Sequence, residues 1–397
     1  MPSHERLSIL HVSRIYPAYF GGVSRVVYDI ARKQSERHIV SVLSTSLFVS
    51  LQRKLPTFPK GVQIYRVPVF PRFLEERLYI KIQLPNPVVL KKIGEYAIRK
   101  ADIVHIHEYR TLLNPEVCRI CERCNTPYIV QAHGTLPHIS PFKRFKLTYD
   151  IAFGSKILRN ASAVIALNRW EMLQYKKFKI PEEKIAIIPN GIDLTEYKNL
   201  PPKGTFRKIF NIPKDKKMIL YLGRIHWIKG VDILVKACYL MKKHGYHNFV
   251  LVIAGPDDGY LHTIQQMVNQ LGLRRSVIFT GPLYGKMKQA AYRDADVYVL
   301  PSRYETFPMT ILEAYACGVP IIASDIGGLK ETVVNGRTGY LFSPYNVMDL
   351  ANKILDLIIN ERLREQLSKE AMRSVRVKFS VEKVVHMLEK LYEKSLT

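Results

Sequence analysis

The chain has 397 residues, 47% of them apolar, which is longer than a single hydrophobic core normally grows and predicts two globular domains. It carries 60 lysines and arginines against 34 acidic residues, a net charge of +26. Such a charge favours anionic partners: nucleic acid, acidic lipid or phosphorylated small molecules. No apolar run is long enough for a transmembrane helix, and residues 1–10 lack a signal-peptide pattern, so we expect a cytoplasmic protein.

Short apolar runs alternate with amphipathic helical patterns along the whole chain. Continuous apolar runs are typical of strands covered on both faces, so the pattern predicts an α/β protein with mostly parallel sheets. The predicted strands are 7–12, 38–43, 62–67, 103–107, 128–132, 163–166 and 184–188 in the first half, and 218–222, 249–254, 277–279, 297–300, 320–323 and 339–342 in the second.

The two halves open in the same way, with a strand, a glycine-containing turn and a helix. This is how a doubly wound nucleotide-binding unit begins. Residues 197–217 are rich in proline, glycine and charge, and form the best candidate linker. We therefore predict Rossmann-like domains at 1–200 and 201–379, with the C-terminal helix within 380–397 packing back on the first domain.

Three cysteines, Cys118, Cys121 and Cys124, follow the spacing C-x2-C-x2-C. The spacing resembles the start of an iron–sulfur motif, but no fourth cysteine follows nearby. The same positions lie on one side of a helix predicted over 112–123. The preferred interpretation is a structural helix with three thiols along one side.

Two carboxylates mark the segment 302–331. Glu305 precedes a helix predicted to begin near Pro308, and Glu313 lies eight residues further on. Eight helical residues span about 12 Å, so the two carboxylates could bind opposite ends of an extended ligand. The helix N-terminus between them favours phosphate, and a nucleoside diphosphate sugar has this shape. The structural alternative is a capping Glu305 and a solvated Glu313.

Two basic residues, Arg224 and Lys229, flank the turn after the first strand of the second half. Nucleotide phosphates lie at this turn in doubly wound folds, and two cations there could stabilise a leaving diphosphate without a metal ion. The alternative is an ordinary solvated surface.

The first half offers weaker candidates. Gly21 and Gly22 precede a helix and would let the backbone approach a ligand, although a plain turn explains them equally well. His133 follows a strand, where ligand-binding groups of α/β sheets usually lie. A hydrogen-bonded core histidine is the alternative interpretation.

Taken together, these motifs resemble glycosyltransferase family 4. The resemblance rests on Glu305-x7-Glu313, on GRIHWIKG around Arg224 and Lys229, on PNGID at 189–193, on HGT at 133–135 and on GGV at 21–23, and it covers nearly the whole chain. It implies a GT-B fold, with two Rossmann-like domains facing each other across a deep cleft. It also implies a retaining enzyme that uses a nucleotide sugar.

The resemblance further implies a role for each matching residue. Arg224 and Lys229 would contact the donor diphosphate, with Gly21 and Gly22 facing the phosphates. Glu305, with Phe307, Pro308 and Met309, would bind the transferred sugar, and Glu313 would bind the ribose. His133 would lie beside the reacting sugar, and Leu283, a poor match, would lie near the base. Thr306 stands where the family usually has glycine, which leaves the sugar preference open.

Two patterns mimic metal sites. Asp294 and Asp296 form a D-x-D, but they precede a strand instead of following one, so a structural role is predicted. His105 and His107 alternate along a strand beside Glu108, without a third ligand nearby in sequence. We therefore expect no metal ion and no cofactor.

The predicted function is metal-independent transfer of a hexose of the glucose or mannose type from a UDP- or GDP-sugar to a hydroxyl acceptor. The alternatives are a sugar-nucleotide epimerase, a phosphorylase on a similar scaffold, and a basic nucleic-acid-binding protein, for which no sequence signature is found. The stretches 71–100 and 140–159 interleave basic and apolar residues. They favour an anionic membrane surface or a lipid-linked acceptor, although ordinary amphipathic helices or a soluble acceptor would fit as well.

Overall fold

The computed structural model describes residues 6–16, 21–46, 59–69, 84–138 and 143–397. The chain forms two compact units, Met1–Gly191 together with Val381–Thr397, and Ile192–Ser380. The division falls after Gly191, ahead of the linker predicted at 197–217, and the last helix belongs to the first unit. In the described part of the chain, no helix is both long enough and apolar enough to cross a bilayer.

The first unit is built on a seven-stranded parallel sheet with the order β3-β2-β1-β4-β5-β6-β7. Because β1 pairs with both β2 and β4, the strand order reverses at β1 and β4. In open parallel sheets, ligands bind outside the carboxyl ends of the strands at such a point. The strands are β1 (Ser8–Val12), β2 (Ile39–Thr45), β3 (Val62–Val67), β4 (Ile103–His107), β5 (Tyr128–Gln131), β6 (Ala163–Ala166) and β7 (Ile185–Ile187).

The second unit repeats this plan with six parallel strands in the order β10-β9-β8-β11-β12-β13. Here the order reverses between β8 and β11, which pair directly. The strands are β8 (Lys217–Leu222), β9 (Phe249–Ala254), β10 (Val277–Gly281), β11 (Val297–Leu300), β12 (Ile321–Ser324) and β13 (Gly339–Phe342).

Helices flank both sheets. Those of the first half are α1 (Gly22–Gln34), α2 (Pro87–Arg99), α3 (Asn114–Cys124), α4 (Lys143–Tyr149), α5 (Ser155–Asn160) and α6 (Arg169–Lys177). The others are α7 (Thr205–Ile209), α8 (Val231–Lys243), α9 (Leu261–Gln270), α10 (Gly285–Asp294), α11 (Met309–Ala316), α12 (Leu329–Thr332), α13 (Val347–Ile359), α14 (Glu361–Lys378) and α15 (Val381–Leu396). A π-helical turn, Asp150–Gly154, joins α4 to α5.

Helix α15 packs on the first unit through an apolar face and a polar edge. Val384, Leu388 and Tyr392 are buried. At Gly191 a Cβ atom would lie 3.0 Å from the Val381 Cα, a tighter contact than Cβ atoms normally make, so glycine favours this close approach. The Glu389 carboxylate accepts hydrogen bonds from Arg37 and His38, at 3.0 and 3.1 Å. The helix is therefore an integral part of this unit.

All thirteen predicted strands are present at the predicted positions, with ends that differ by two residues at most. The cysteine-bearing helix is α3, which begins at Asn114 instead of Leu112. Its thiols are free, and burial raises the pKa of Cys118 to about 12. Cys118 and Cys121 therefore act as small apolar core residues.

Candidate functional site

The loops at the carboxyl ends of β8 and β11 bring two of the predicted residues together. Lys229 follows β8, and Glu305 follows β11, which lies beside it. The Lys229 Nζ lies 2.5 Å from Glu305 Oε1, and Ser302 donates a hydrogen bond to the same oxygen at 3.0 Å. Both side chains are largely buried. The pair thus places a cation and a carboxylate at the point where the strand order reverses.

The backbone around this pair is tightly constrained. Gly230 has φ 67, and a Cβ at this position would lie 1.9 Å from the Pro301 carbonyl oxygen, which only glycine avoids. Arg303 holds the same turn, because it forms two hydrogen bonds with Asp232, at 2.7 and 2.9 Å, and one with the Trp227 carbonyl at 2.6 Å. These contacts hold the loops of Lys229 and Glu305 in register.

Arg224 forms a separate ion pair. Its guanidinium contacts Asp258, in the loop after β9, and is about half exposed. The Tyr221 hydroxyl donates to the Arg224 carbonyl at 2.7 Å and fixes the backbone of this residue. Arg224 therefore lies at the same sheet edge as Lys229 but with its own carboxylate partner.

Glu313 is buried and paired, in contrast to the alternative of a solvated side chain. Lys288 Nζ lies 2.6 Å from its Oε1, and the Tyr292 hydroxyl donates to its Oε2 at 3.1 Å. Both partners lie on α10, which follows β10 and the half-buried Leu283. This arrangement presents an oriented carboxylate beside a lysine.

Helix α11 begins after Phe307 and Pro308, with Met309 as its first residue. No side chain caps this end, so the other structural alternative, a capping Glu305, is wrong. Thr306 is buried next to Glu305 and lies 3.3 Å from the Tyr304 hydroxyl, measured between the two oxygens. The uncapped N–H groups of α11 are donors suited to an anion.

The first unit places its candidates at the carboxyl edge of its own sheet. Gly21, with φ 112, precedes α1, and Gly22 is the first residue of that helix. His133 follows β5 in a left-handed conformation, φ 51, which is uncommon for a residue other than glycine. Its Nε2 lies 3.0 Å from His107 Nδ1, whereas its buried Nδ1 has no hydrogen-bond partner among the described residues.

Glu171 supports the turn after His133. Its carboxylate accepts hydrogen bonds from the backbone N–H groups of Gly134, at 2.5 Å, and Leu167, at 2.8 Å. Burial raises the pKa of Glu171 to about 7, although both hydrogen bonds act in the opposite direction. This buried acid has no counterpart among the sequence predictions.

Several residues that pair with the candidates or hold their loops were missed in the sequence, namely Asp232, Asp258, Lys288, Tyr292, Ser302 and Arg303. Each lies far along the chain from the residue it contacts, except Ser302. The one available signal was position, because Asp258 and Ser302 also follow predicted strands.

The two apparent metal motifs differ in outcome. The carboxylates of Asp294 and Asp296 accept backbone N–H groups of Arg207 and Met218, at 3.0 and 2.8 Å, as a structural role requires. His105 and His107 gain a third neighbour that sequence spacing could not show. His11, on the adjacent strand β1, brings one nitrogen of each ring to within 4.8 Å of the others.

Two Rossmann-like units, each with a parallel sheet whose strand order reverses, form a GT-B glycosyltransferase fold, as the aligned solved structures show. Sucrose-phosphate synthase from Thermosynechococcus elongatus aligns with a TM-score of 0.79 and 23% identity, over 98% of this chain and 99% of that one. Anabaena HepE, solved with UDP and glucose, aligns with a TM-score of 0.78 and 20% identity, over 98% and 100%. At these identities the likeness shows the fold alone.

The chain belongs to the family 4, group 1 glycosyltransferases. The family model "Glycosyltransferase Family 4" matches residues 20–196, and "Glycosyl transferases group 1" matches residues 202–374. A D-inositol 3-phosphate glycosyltransferase of Actinosynnema mirum is 31% identical over 90% of this chain and 88% of its own length. An uncharacterized glycosyltransferase of Methanocaldococcus jannaschii is 29% identical over 84% and 85%.

The buried histidines predict acid sensitivity. Burial lowers the pKa of His11 to about 4 and of His133 to about 3, and it holds the pKa values of His105 and His107 well below 6.5. Below pH 6.5 these histidines bind protons in the unfolded chain but stay neutral in the folded state. The free energy of unfolding therefore falls as the pH falls. Each histidine contributes up to about 1.4 kcal/mol per pH unit. Glu171, whose pKa is raised on folding, has the opposite effect. Between its pKa in the unfolded chain and its raised pKa in the folded state, it cancels the contribution of about one histidine.

Urea unfolding between pH 8 and 5 measures this slope. His105→Gln should reduce the slope of the free energy of unfolding against pH by the contribution of about one proton. His244→Gln, at an exposed histidine, is the matched control and should leave the slope unchanged. A free energy of unfolding that stays constant or rises on acidification from pH 6.5 to 5 would contradict the prediction.

Proposed function

We propose that the protein transfers a hexose from a UDP- or GDP-sugar to a hydroxyl acceptor, with retention at the anomeric carbon. The observation that carries the proposal is the Lys229–Glu305 pair at the strand-order reversal of the second unit. Doubly wound folds bind nucleotides at this position. One structural neighbour, Anabaena HepE, was solved in complex with UDP and glucose, which supports a nucleotide-sugar donor.

In this proposal the diphosphate is bound by cations and backbone N–H groups. Arg224 and Lys229 lie at one sheet edge, and the N-terminus of α11, which no side chain caps, adds backbone N–H donors. Both basic side chains already have carboxylate partners, Asp258 and Glu305. An arriving diphosphate would therefore share these cations with the carboxylates, and the developing negative charge on the leaving group would strengthen the contact.

The carboxylates would recognise the two sugars of the donor. Glu305 accepts hydrogen bonds from Ser302 and Lys229 on one oxygen, Oε1, so Oε2 is the oxygen proposed to bind hydroxyls of the transferred sugar. Glu313, oriented by Lys288 and Tyr292, is proposed to bind the ribose diol. His133 is proposed to face the reacting sugar, and Leu283 the base.

Retention follows most simply from departure of the diphosphate and attack of the acceptor hydroxyl on the same face. We assign no residue as a covalent nucleophile, because Glu305 is the carboxylate proposed to bind sugar hydroxyls through Oε2, while its Oε1 accepts from Lys229 and Ser302. Relatives named D-inositol 3-phosphate glycosyltransferase suggest a phosphorylated or otherwise anionic acceptor, which matches the net charge of +26.

Substitution of the charged pair tests this assignment. Glu305→Gln and Lys229→Met should each lower kcat at least about 100-fold, because each removes a charge that acts on the reacting donor. Arg224→Ala should lower kcat/KM by a similar factor. Lys330→Ala, which removes an exposed lysine paired with Asp325 at 3.2 Å, is the control and should retain wild-type turnover. Near-wild-type kcat in Glu305→Gln would refute the role of this residue.

We also propose that transfer needs no divalent metal ion, since Arg224 and Lys229 supply positive charge for the diphosphate. Initial rates with a saturating nucleotide sugar should be unchanged after dialysis against EDTA. Activity that is lost in EDTA and restored by Mg²⁺ or Mn²⁺ would contradict the proposal. In that case a metal ion, in addition to Arg224 and Lys229, would stabilise the negative charge on the leaving diphosphate.

The first unit is proposed to meet an anionic membrane that carries the acceptor, at its cytoplasmic face. Around α4, Phe145, Leu147 and Ile151 are exposed, next to the exposed Lys143 and Arg144. Basic residues beside exposed apolar ones are typical of helices that lie in a membrane interface. Residues 71–83 and 140–142, parts of the two predicted stretches, lie outside the described residues.

Liposome co-sedimentation tests the membrane contact. Vesicles with acidic lipid should bind the protein, and neutral vesicles should not. The double reversal Lys143→Glu with Arg144→Glu should weaken binding at least about tenfold, at about 1 kcal/mol per basic residue. The double reversal of Lys369 and Arg376, exposed on α14, changes the net charge equally and is the control. Equal binding by both double variants would refute a specific surface at α4.

A further inference from the structure

A row of buried polar side chains runs through the first unit behind His133. His11 on β1 lies opposite His105 on β4, and His107 is two residues further along β4. Side chains in register on paired strands, and at alternate positions of one strand, share a face of the sheet. All three rings are fully buried. They lie between His133 and the side chains of two helices, α1 and α15.

The row is continuous at hydrogen-bonding distance. It begins at Tyr392 of α15, whose hydroxyl lies 3.5 Å from Gln34 Nε2. Gln34 Oε1 lies 2.8 Å from His11 Nε2, and His11 Nδ1 lies 3.0 Å from His107 Nε2. His107 Nδ1 lies 3.0 Å from His133 Nε2. The row thus contains five side chains, from Tyr392 on the C-terminal helix to the site residue His133.

Each link of this row determines the next one. A neutral imidazole has one N–H and one acceptor nitrogen, and burial lowers the pKa of every histidine here, which keeps all of them neutral. Gln34 Oε1 accepts, so the proton of His11 is on Nε2 and its Nδ1 accepts from His107 Nε2. His107 Nδ1 then accepts from His133 Nε2. His133 is left with an unprotonated Nδ1.

Tyr392 holds the other end of the row. Its hydroxyl accepts from Gln34 Nε2, which orients the Gln34 amide, and lies 2.7 Å from His105 Nδ1. His105 Nε2 and Gln131 Oε1 are both buried without a hydrogen bond of standard geometry.

We infer that Tyr392, Gln34, His11 and His107 are positioning residues that hold His133 as its Nε2–H tautomer, so that Nδ1 accepts a hydrogen bond from a sugar hydroxyl. The inference rests on the proposed function in one respect, that His133 faces the sugar. The site would then require that the sugar hydroxyl facing His133 donates a hydrogen bond. A deoxy or fluoro sugar, which cannot donate, would be a poor substrate.

The same three histidines could instead hold a metal ion, since each brings one nitrogen within 4.8 Å of the others. The row uses these nitrogens differently. His11 Nδ1 and His107 Nε2 share one proton at 3.0 Å, and a metal ion would have to displace it. The outward nitrogens are bonded to Gln34, Tyr392 and His133 in either case, so a measurement must decide between the two.

The experiment reads the His133 tautomer directly, by NMR of the full chain with ¹⁵N-labelled imidazoles, assigned with His133→Gln. The wild type should show His133 protonated on Nε2 alone. Tyr392→Phe removes one hydroxyl and should yield a mixture of tautomers, with kcat/KM about tenfold lower and the affinity for free UDP unchanged. Glu389→Gln, on the same helix but outside the row, is the control and should leave the His133 signals unchanged.

Three results would overturn the inference. One is a wild-type His133 protonated on Nδ1, and another is an equal response of its signals to Tyr392→Phe and Glu389→Gln. The third is one equivalent of zinc in the purified protein that is lost in His11→Gln. Because the tautomer is read without substrate, the inference can fail while transfer activity stands. Conversely, inactivity with every nucleotide sugar would refute the proposed function and leave the tautomer result valid.

Discussion

The parallel pairing of β8 with β11 is the constraint on which the second unit's site depends. These strands are neighbours in the sheet although α8, β9, α9, β10 and α10 lie between them in sequence. Their pairing brings two loops together at the carboxyl edge and allows the largely buried Lys229–Glu305 contact. Gly230 and the Arg303–Asp232 pair are needed for this approach, one by leaving room and the other by fixing the turn. A parallel sheet requires long crossover connections, so distant residues meet at its edge.

The two units use the same architectural position for different chemistry. The second unit places ion pairs there, with Arg224, Lys229 and Lys288 each bound to a carboxylate. The first unit places a glycine pair before α1 and a histidine after β5. Behind that histidine, burial makes charged rings costly, and neutral rings must satisfy one another by hydrogen bonds. The first unit also has an ion pair at this edge, Arg14 with Glu108 at 3.3 Å, so the neutral histidine row is what distinguishes it from the second unit.

Much of the fold and part of the site could be predicted because the signals were local. Thirteen short apolar runs indicated thirteen strands, since a strand buried on both faces needs a continuous run. Glu305, Lys229, Arg224 and His133 became candidates because each follows a strand. The capping interpretation of Glu305 was wrong because its carboxylate finds stronger partners, Lys229 and Ser302, than the backbone N–H groups of α11.

The sequence by itself determined the strands, the two-unit plan and the sheet edges at which the candidate residues lie. Only the tertiary structure decided the partners: Asp258 for Arg224, Lys288 for Glu313, and His11 beside His105. It also decided that α15 returns to the first unit and brings Tyr392 to His105, a residue 287 positions away. The physical reason is that strand formation reflects the local pattern of apolar residues. Hydrogen bonds between side chains depend instead on which strands and helices pack together, which is a property of the whole folded chain.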